Sequence, residues 1–319
     1  MKRIAVLTSG GDAPGMNAAI RAVVRASVYY QIEIYGVYRG YKGLIDGNME
    51  PLDASSVADI IHKGGTFLKS ARSEAFKEQK FRKQAADHLK AKGIYGLVVI
   101  GGDGSFIGAE KISEEGISTV AIPGTIDNDL AYTDESIGFD TSVNTVLDSI
   151  SKIRDTSTSH EKPTIVEVMG RHCGDIALYS GIAGGAGTII IPEEKTTTKE
   201  IIAKLDQDRQ RGKLHHLILL AEGVQSAASL QSELKEQTGI NARISVLGFI
   251  QRGGEPTSRD RILASRLGVR AVELLMNGQS NQAVGVHNNQ VYQMPIQEAL
   301  AITKPFDHEM YDLTKILSV

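Results

Sequence analysis

The chain has 319 residues, of which 41% are hydrophobic and 23% charged, with a formal net charge of −3. That length suffices for two domains or lobes, and the mild acidity gives no global attraction for nucleic acid or an anionic membrane. A single cysteine, Cys173, rules out an intrachain disulfide and fits a reducing compartment.

The first apolar run, Ile4 to Leu7, reads as a strand and stops at Thr8-Ser9-Gly10, too short for the core of a signal peptide. No stretch approaches the roughly 20 apolar residues of a membrane span, so a cytoplasmic protein is expected. Met16, Ala19, Ile20, Val23 and Val24 then recur at helical spacing behind Pro14. Ile32 to Tyr38 reads as a strand. Ser55 or Ser56 is placed to cap a helix through Val57, Ile60 and Ile61, stopped by Gly64-Gly65. Phe76 to Lys92 has a helical pattern, followed by a strand at 97–100, a helix at 106–115 and a strand ending at Ile122. A helix-like stretch begins at Thr141.

The second half repeats the style. Ile165 to Val168, Thr188 to Ile191 and Leu217 to Ala221 read as strands, with a short helix at 175–181. Thr197 to Glu200 is a capping box ahead of Ile201, Ile202 and Leu205. Leu263 to Asn277 is a long helix closed by Gly278. Continuous apolar strands alternating with helices imply α/β architecture with mostly parallel sheets covered on both faces.

Three turns carry the chemistry: Gly10-Gly11-Asp12, Gly101 to Ser105, and Pro123-Gly124-Thr125-Ile126-Asp127-Asn128-Asp129. Each follows a strand, which places it at the carboxyl edge of an open sheet, where such folds bind ligands. Glycine admits an anion to backbone N–H groups, and a following helix start adds its dipole. A carboxylate in the same turn repels phosphate unless a divalent cation or a proton transfer intervenes, which points to metal-assisted phosphoryl transfer. In an extended segment Asp127 and Asp129 face one side, so both would serve one pocket; a polar loop capping its own N–H groups is the alternative. Arg72, Arg171 and Arg252 stand near glycines and offer bidentate donors for phosphate, although each alone also suits a solvated surface. Arg21 and Arg25 share a helix face, and Arg211 and Lys213 follow a helix whose dipole they complement. There is no P-loop and no protein-kinase motif set, and Gly102-x-Gly104-x-x-x-Gly108 misses the dinucleotide fingerprint by one residue.

Together with Met169-Gly170-Arg171 and Gln251-Arg252-Gly253-Gly254, these turns resemble the bacterial ATP-dependent 6-phosphofructokinases along essentially the whole chain. The resemblance implies two doubly wound, mostly parallel three-layer lobes with the active site between them. One lobe would be 1–138 plus about 251–305, for ATP; the other 139–250 plus about 306–319, for the sugar phosphate. The implied reaction moves the γ-phosphoryl of ATP to the 1-hydroxyl of fructose 6-phosphate, giving the bisphosphate and ADP. Gly11, Arg72, Ser73, Gly102, Asp103, Gly104 and Ser105 would line the ATP phosphates, with Asp103 on Mg²⁺. Asp127 would be the general base, with Thr125, Arg171 and Arg72 about the transferring group. Asp129, Met169, Gly170, Glu222 and Arg252 would hold the sugar phosphate, with Arg243 from a neighbouring subunit of a homotetramer.

Glycine at 104 and 124, where pyrophosphate-using relatives carry bulkier groups, favours ATP. Lys162 replaces an arginine and Phe249 a histidine, both facing the sugar phosphate, which keeps another substrate such as tagatose 6-phosphate open. Gly187 replaces a glutamate that holds the cation of a nucleotide effector. Arg21, Arg25, Asp59, Arg154, Gly185, Arg211 and Lys213 keep the rest of that effector site, for ADP or phosphoenolpyruvate. A catalytically silent phosphometabolite sensor and a nicotinamide-linked dehydrogenase are the alternatives from other classes.

Overall fold

A computed structural model describes residues 2–212 and 216–318. The chain divides into two compact units. The first comprises Met1–Ile126, Leu130–Thr141 and Arg252–Lys304; the second Asp127–Asp129, Ser142–Gln251 and Pro305–Val319.

The elements of the first stretch, in chain order, are β1 (Arg3–Thr8), α1 (Met16–Tyr29), β2 (Glu33–Val37), α2 (Gly40–Ile45), β3 (Met49–Leu52), α3 (Gln79–Ala91), β4 (Gly96–Gly101), α4 (Asp103–Ser113) and β5 (Ser118–Pro123). The next stretch holds α5 (Phe139–His160), β6 (Thr164–Val168), α6 (Asp175–Ala183), β7 (Thr188–Ile190), α7 (Thr198–Gln210), β8 (Leu217–Ala221), α8 (Ala227–Thr238) and β9 (Arg243–Val246). Last come α9 (Ser258–Met276), β10 (Gln282–His287), β11 (Gln290–Pro295), α10 (Ile296–Ala301) and α11 (His308–Leu317).

The first unit has a seven-stranded sheet in the order β11-β10-β5-β4-β1-β2-β3. Its five inner strands run parallel, and β3 and β11 close the edges antiparallel. Ala5 and Leu7 join a core with Tyr41, Leu44, Phe76, Leu89 and Phe106, while Ile4 and Val6, on the opposite face, are equally buried. Both faces of the strand are therefore covered, which is why the sequence shows an unbroken apolar run rather than an alternation. The helix α1 packs along α9, and Gly268 permits that approach, because a Cβ there would stand 2.6 Å from the Ala22 side chain. The second unit has a four-stranded, all-parallel sheet, β7-β8-β6-β9.

One expected helix is absent. Residues 54–59 form turns; the Asp53 carboxylate accepts from the backbone N–H groups of Ser55 (2.9 Å) and Ser56 (2.8 Å), as a helix cap would, but no helix propagates beyond it. Asp59 then takes φ 51°, which no right-handed helix tolerates. β10 and β11 form a hairpin turned by Asn288 and Asn289 at φ 50° and 61°, which the sequence-based expectations do not include.

Candidate active site

In the first unit the glycine turns follow neighbouring parallel strands, β1, β4 and β5. The chain leaves β1 toward β2 on one side and returns through β4 on the other, so the turns at 10–12 and 101–105 flank a topological switch point. Backbone bonds stitch them together: Ser9 N–H donates to Ile100 O and Gly124 N–H to Gly101 O, both at 2.9 Å. Gly101 is required by space, since a Cβ there would lie 2.6 Å from Ser9 O and 2.4 Å from Ser105 Oγ. Gly102 caps α4, with Asp103 exposed in the first turn and Ser105 buried. Thr125 is buried beside Gly102, whose Cβ position is 3.6 Å from Thr125 Cβ, and its carbonyl accepts from Ser136 Oγ at 2.7 Å.

Gly104 differs from its neighbours. A Cβ built on it meets nothing within 4 Å, and its backbone is not left-handed. Glycine in a helix costs roughly 0.5–1 kcal/mol against alanine, and no packing reason offsets that cost here. The bare surface at Gly104 is free for a ligand. Gly124 has a packing reason of its own, because its Cβ would stand 2.9 Å from Ile100 Cγ2.

Gly11 and Arg252, distant in sequence, are brought together: a Cβ on Gly11 would lie 2.4 Å from Arg252 Nη1, which donates to Asp12 O at 3.2 Å. Arg72 is exposed and Ser73 half-buried in an irregular segment. That segment is anchored upstream by buried Asn17, whose Nδ2 donates to the Lys63 and Gly64 carbonyls at 3.1 Å and whose Oδ1 accepts from Phe67 N–H at 2.8 Å.

In the second unit the functional candidates follow β6 and β8, again parallel neighbours. Met169-Gly170-Arg171 leaves β6 through Gly170 at φ 133° and Arg171 at φ 53°, the left-handed region an arginine rarely occupies. Glu222 follows β8, and its Oε1 accepts from Arg171 N–H at 3.0 Å. Arg171 Nε lies 3.2 Å from Asp127 Oδ2, and the Asp127 side chain is 1% exposed. Asn128 also takes a left-handed φ, 53°, so the segment from Asp127 to Asp129 is bent rather than extended as expected. The bend is pinned by Asn128 Nδ2 donating to Asp175 Oδ2 at 2.8 Å. Arg243 Nη1 donates to Thr156 Oγ1 at 3.2 Å, Lys162 is exposed, and Phe249 is 83% exposed.

The remaining anion-site candidates split between the units. Arg21, Arg25 and Asp59 lie in the first. In the second, Arg154 Nη2 donates to the carbonyls of Gly184 and of Gly185, the latter at 3.1 Å, and Arg211 is exposed. Lys213 falls outside the described residues. Gly187 now has a physical reason: a Cβ there would lie 2.5 Å from His216 Cε1. The imidazole is buried, with Nδ1 2.5 Å from Asp208 Oδ2 and Nε2 2.8 Å from Thr188 Oγ1. Nothing local to His216 or Asp208 in the sequence predicts the pair.

Among the described residues no group of three or more His, Cys, Asp or Glu side chains forms a metal cage. One exposed carboxylate, Asp103, at a helix start is the donor set that suits Mg²⁺ held chiefly by phosphate oxygens. No helix among the described residues is long and apolar enough to cross a membrane.

Parallel sheets with glycine turns and candidate phosphate-binding arginines beside them define an α/β phosphotransferase. The phosphofructokinase family model matches residues 3–275, and the chain belongs to that family. It is 59% identical over 319 residues, the full length of both, to the ATP-dependent 6-phosphofructokinase of Clostridioides difficile (strain 630). It is 60% identical, again over both full lengths, to the enzyme of the same name from Alkaliphilus metalliredigens (strain QYMF). Phosphofructokinase from Saccharomyces cerevisiae superposes with a TM-score of 0.90 at 34% identity, covering all of this chain and 48% of the yeast chain, so this chain spans about half the yeast one.

Proposed function

We propose that the chain transfers the γ-phosphoryl of ATP to the 1-hydroxyl of fructose 6-phosphate. The observation that carries this beyond family membership is the buried Asp127 carboxylate on Arg171, an acceptor and a cation held together. Asp127 takes the hydroxyl proton as the oxygen attacks phosphorus, and the Arg171 guanidinium stabilises charge on the transferring group. Thr125 and Arg72 complete that surround. Gly11, Ser73, Gly102, Gly104 and Ser105 receive the ATP phosphates through backbone N–H groups and the α4 dipole. Asp103 would hold Mg²⁺, which would supply neutralisation of phosphate charge. The open surface at Gly104 supports a nucleotide donor over pyrophosphate.

Arg252, Glu222, Met169, Gly170 and Asp129 hold the sugar phosphate. Lys162 and Arg243 act across an interface in a homotetramer, and Phe249 stands at the sugar 6-phosphate. The exposed apolar run of Val246, Phe249 and Ile250, 60%, 83% and 54% accessible, supports burial by another copy. Arg21, Arg25, Asp59, Arg154, Gly185, Arg211 and Lys213 bind a phosphorylated effector.

A coupled assay pairing ATP or pyrophosphate with fructose 6-phosphate and tagatose 6-phosphate, with and without Mg²⁺, tests the reading. Turnover with ATP, fructose 6-phosphate and Mg²⁺ is expected. Faster turnover with pyrophosphate, or with tagatose 6-phosphate, would replace the donor or the acceptor respectively.

A further inference from the structure

Gly223 touches no proposed ligand and stands one residue past Glu222 at the end of β8. Its own backbone is outside the left-handed region, so conformation does not require glycine there. Space does. A Cβ on Gly223 would lie 1.9 Å from the carbonyl oxygen of Arg171, 3.1 Å from its carbonyl carbon and 3.5 Å from His172 Cα. These are main-chain atoms and have no rotamer to swing away. For even alanine to fit, the peptide after Arg171 must move by about 1 Å or more to restore van der Waals distance.

The turn that would have to move is fixed on its other sides. Cys173 N–H donates to Gly170 O at 2.9 Å, and a Cβ on Gly170 would meet Cys173 O at 2.4 Å. Glu222 N–H donates to Val168 O at 2.9 Å, which locks the ends of β6 and β8 in register. Arg171 itself sits at φ 53° with its N–H on Glu222 Oε1. A shift of its carbonyl therefore rotates the peptide carrying the guanidinium that meets Asp127.

We infer that Gly223 is a positioning residue: its missing side chain sets the backbone of Arg171, and through it the placement of the guanidinium against the Asp127 carboxylate. This rests on the phosphoryl-transfer reading above. Misplacing a reacting group by about 1 Å lowers turnover by up to about 100-fold. The interaction is spent on the transferring group, so the loss falls on kcat, with KM for ATP changing little.

The test is a double-mutant cycle on the full chain, with kcat, both KM values and melting temperature recorded for wild type, Gly223→Ala, Arg171→Ala and the pair. Gly223→Ala is expected to fold and to lose about 10- to 100-fold in kcat, with KM for ATP within about 3-fold. On the Arg171→Ala background the same substitution is expected to cost less than about 3-fold, because the group it misplaces is gone. Equal losses on both backgrounds, or a folded Gly223→Ala with wild-type kcat, would overturn the inference. Should Gly223→Ala not fold, Arg171→Gly in the same chain relieves the left-handed residue; recovery of folded protein supports the contact and continued failure overturns it. A wild-type chain inactive with ATP and fructose 6-phosphate would sink the kinase reading and this inference together, whereas an additive cycle in an active enzyme sinks this one alone.

Discussion

Arg171 holds a backbone conformation that costs an L-residue roughly 1–2 kcal/mol, and the fold sustains it with the Glu222 carboxylate and the Gly170 turn. Strain kept in place this way marks a residue whose direction matters more than its comfort. Its partner gives the sharpest test of mechanism. Asp127→Ser is expected to lower kcat by about 10²- to 10⁴-fold with modest change in either KM, read by steady-state kinetics; a near-wild-type kcat would remove Asp127 as the base. Gly187 invites a second test at this scale. Gly187→Glu drives a side chain into the His216 ring and is expected to cost about 1–3 kcal/mol of stability. Adding His216→Ala vacates that space, so the double variant should melt above Gly187→Glu alone. If the second substitution lowers the melting temperature further, the ring is not what excludes the glutamate.

At the scale of elements, the strands and their glycine turns were legible because a buried parallel strand writes itself as an unbroken apolar run. The capping box at Thr197 was equally plain, and both of its reciprocal bonds form. What the local sequence does not show depends on partners far away in the chain. The strand β11 has weak apolar content and exists by pairing with β10. The turns at 54–59 carry helix-capping residues, yet Asp59 at φ 51° breaks the right-handed path a helix needs. Of the site, the candidate ligand groups could be read in the turns, whereas the bend at Asn128 and the crowding of Arg171 by Gly223 could not, since both follow from contacts across strand ends. The start of α5 shows a further long-range cap. Asp260, from α9, accepts from Gly138 N–H at 2.8 Å and from the Thr141 N–H and hydroxyl at 2.9 and 2.5 Å. Burial pushes its carboxyl up to about 6 from the ordinary 3.8, against the pull of those donors. A carboxyl raised on folding binds its proton more tightly in the native state. Its contribution is therefore fully present below pH 3.8 and is lost as pH rises through about 6. The change is worth about 3 kcal/mol at most. Urea unfolding at pH 4 to 7 should show the wild-type advantage over Asp260→Asn shrinking as pH rises; an advantage constant with pH would contradict the shift.

For the molecule as a whole, each sheet places its candidate groups at the carboxyl ends of adjacent parallel strands, β1, β4 and β5 in one unit and β6 and β8 in the other. The family relationship extends over the same full length, so the local geometry and the global likeness point to one activity. A whole-chain readout follows from the proposed ligands. Fructose 6-phosphate at 100 times its dissociation constant is expected to raise stability by about 2.7 kcal/mol, seen as a higher melting temperature. Inorganic phosphate at the same concentration should raise it less; an equal rise would mean that the sugar ring makes no contribution.

The discontinuous first sheet carries a consequence for how the protein is made. The strand β5 ends at Pro123, but β10, which pairs beside it, begins only at Gln282, about 160 residues later. At about 5–20 residues per second on the ribosome, that edge waits roughly 8–30 s for its neighbour. During the interval the nascent chain exposes an apolar strand with unpaired N–H and C=O groups, a natural target for chaperones or for a second nascent copy. The four-stranded sheet encoded in between needs no later strand to complete it, although its unit gains α11 only from the last residues made.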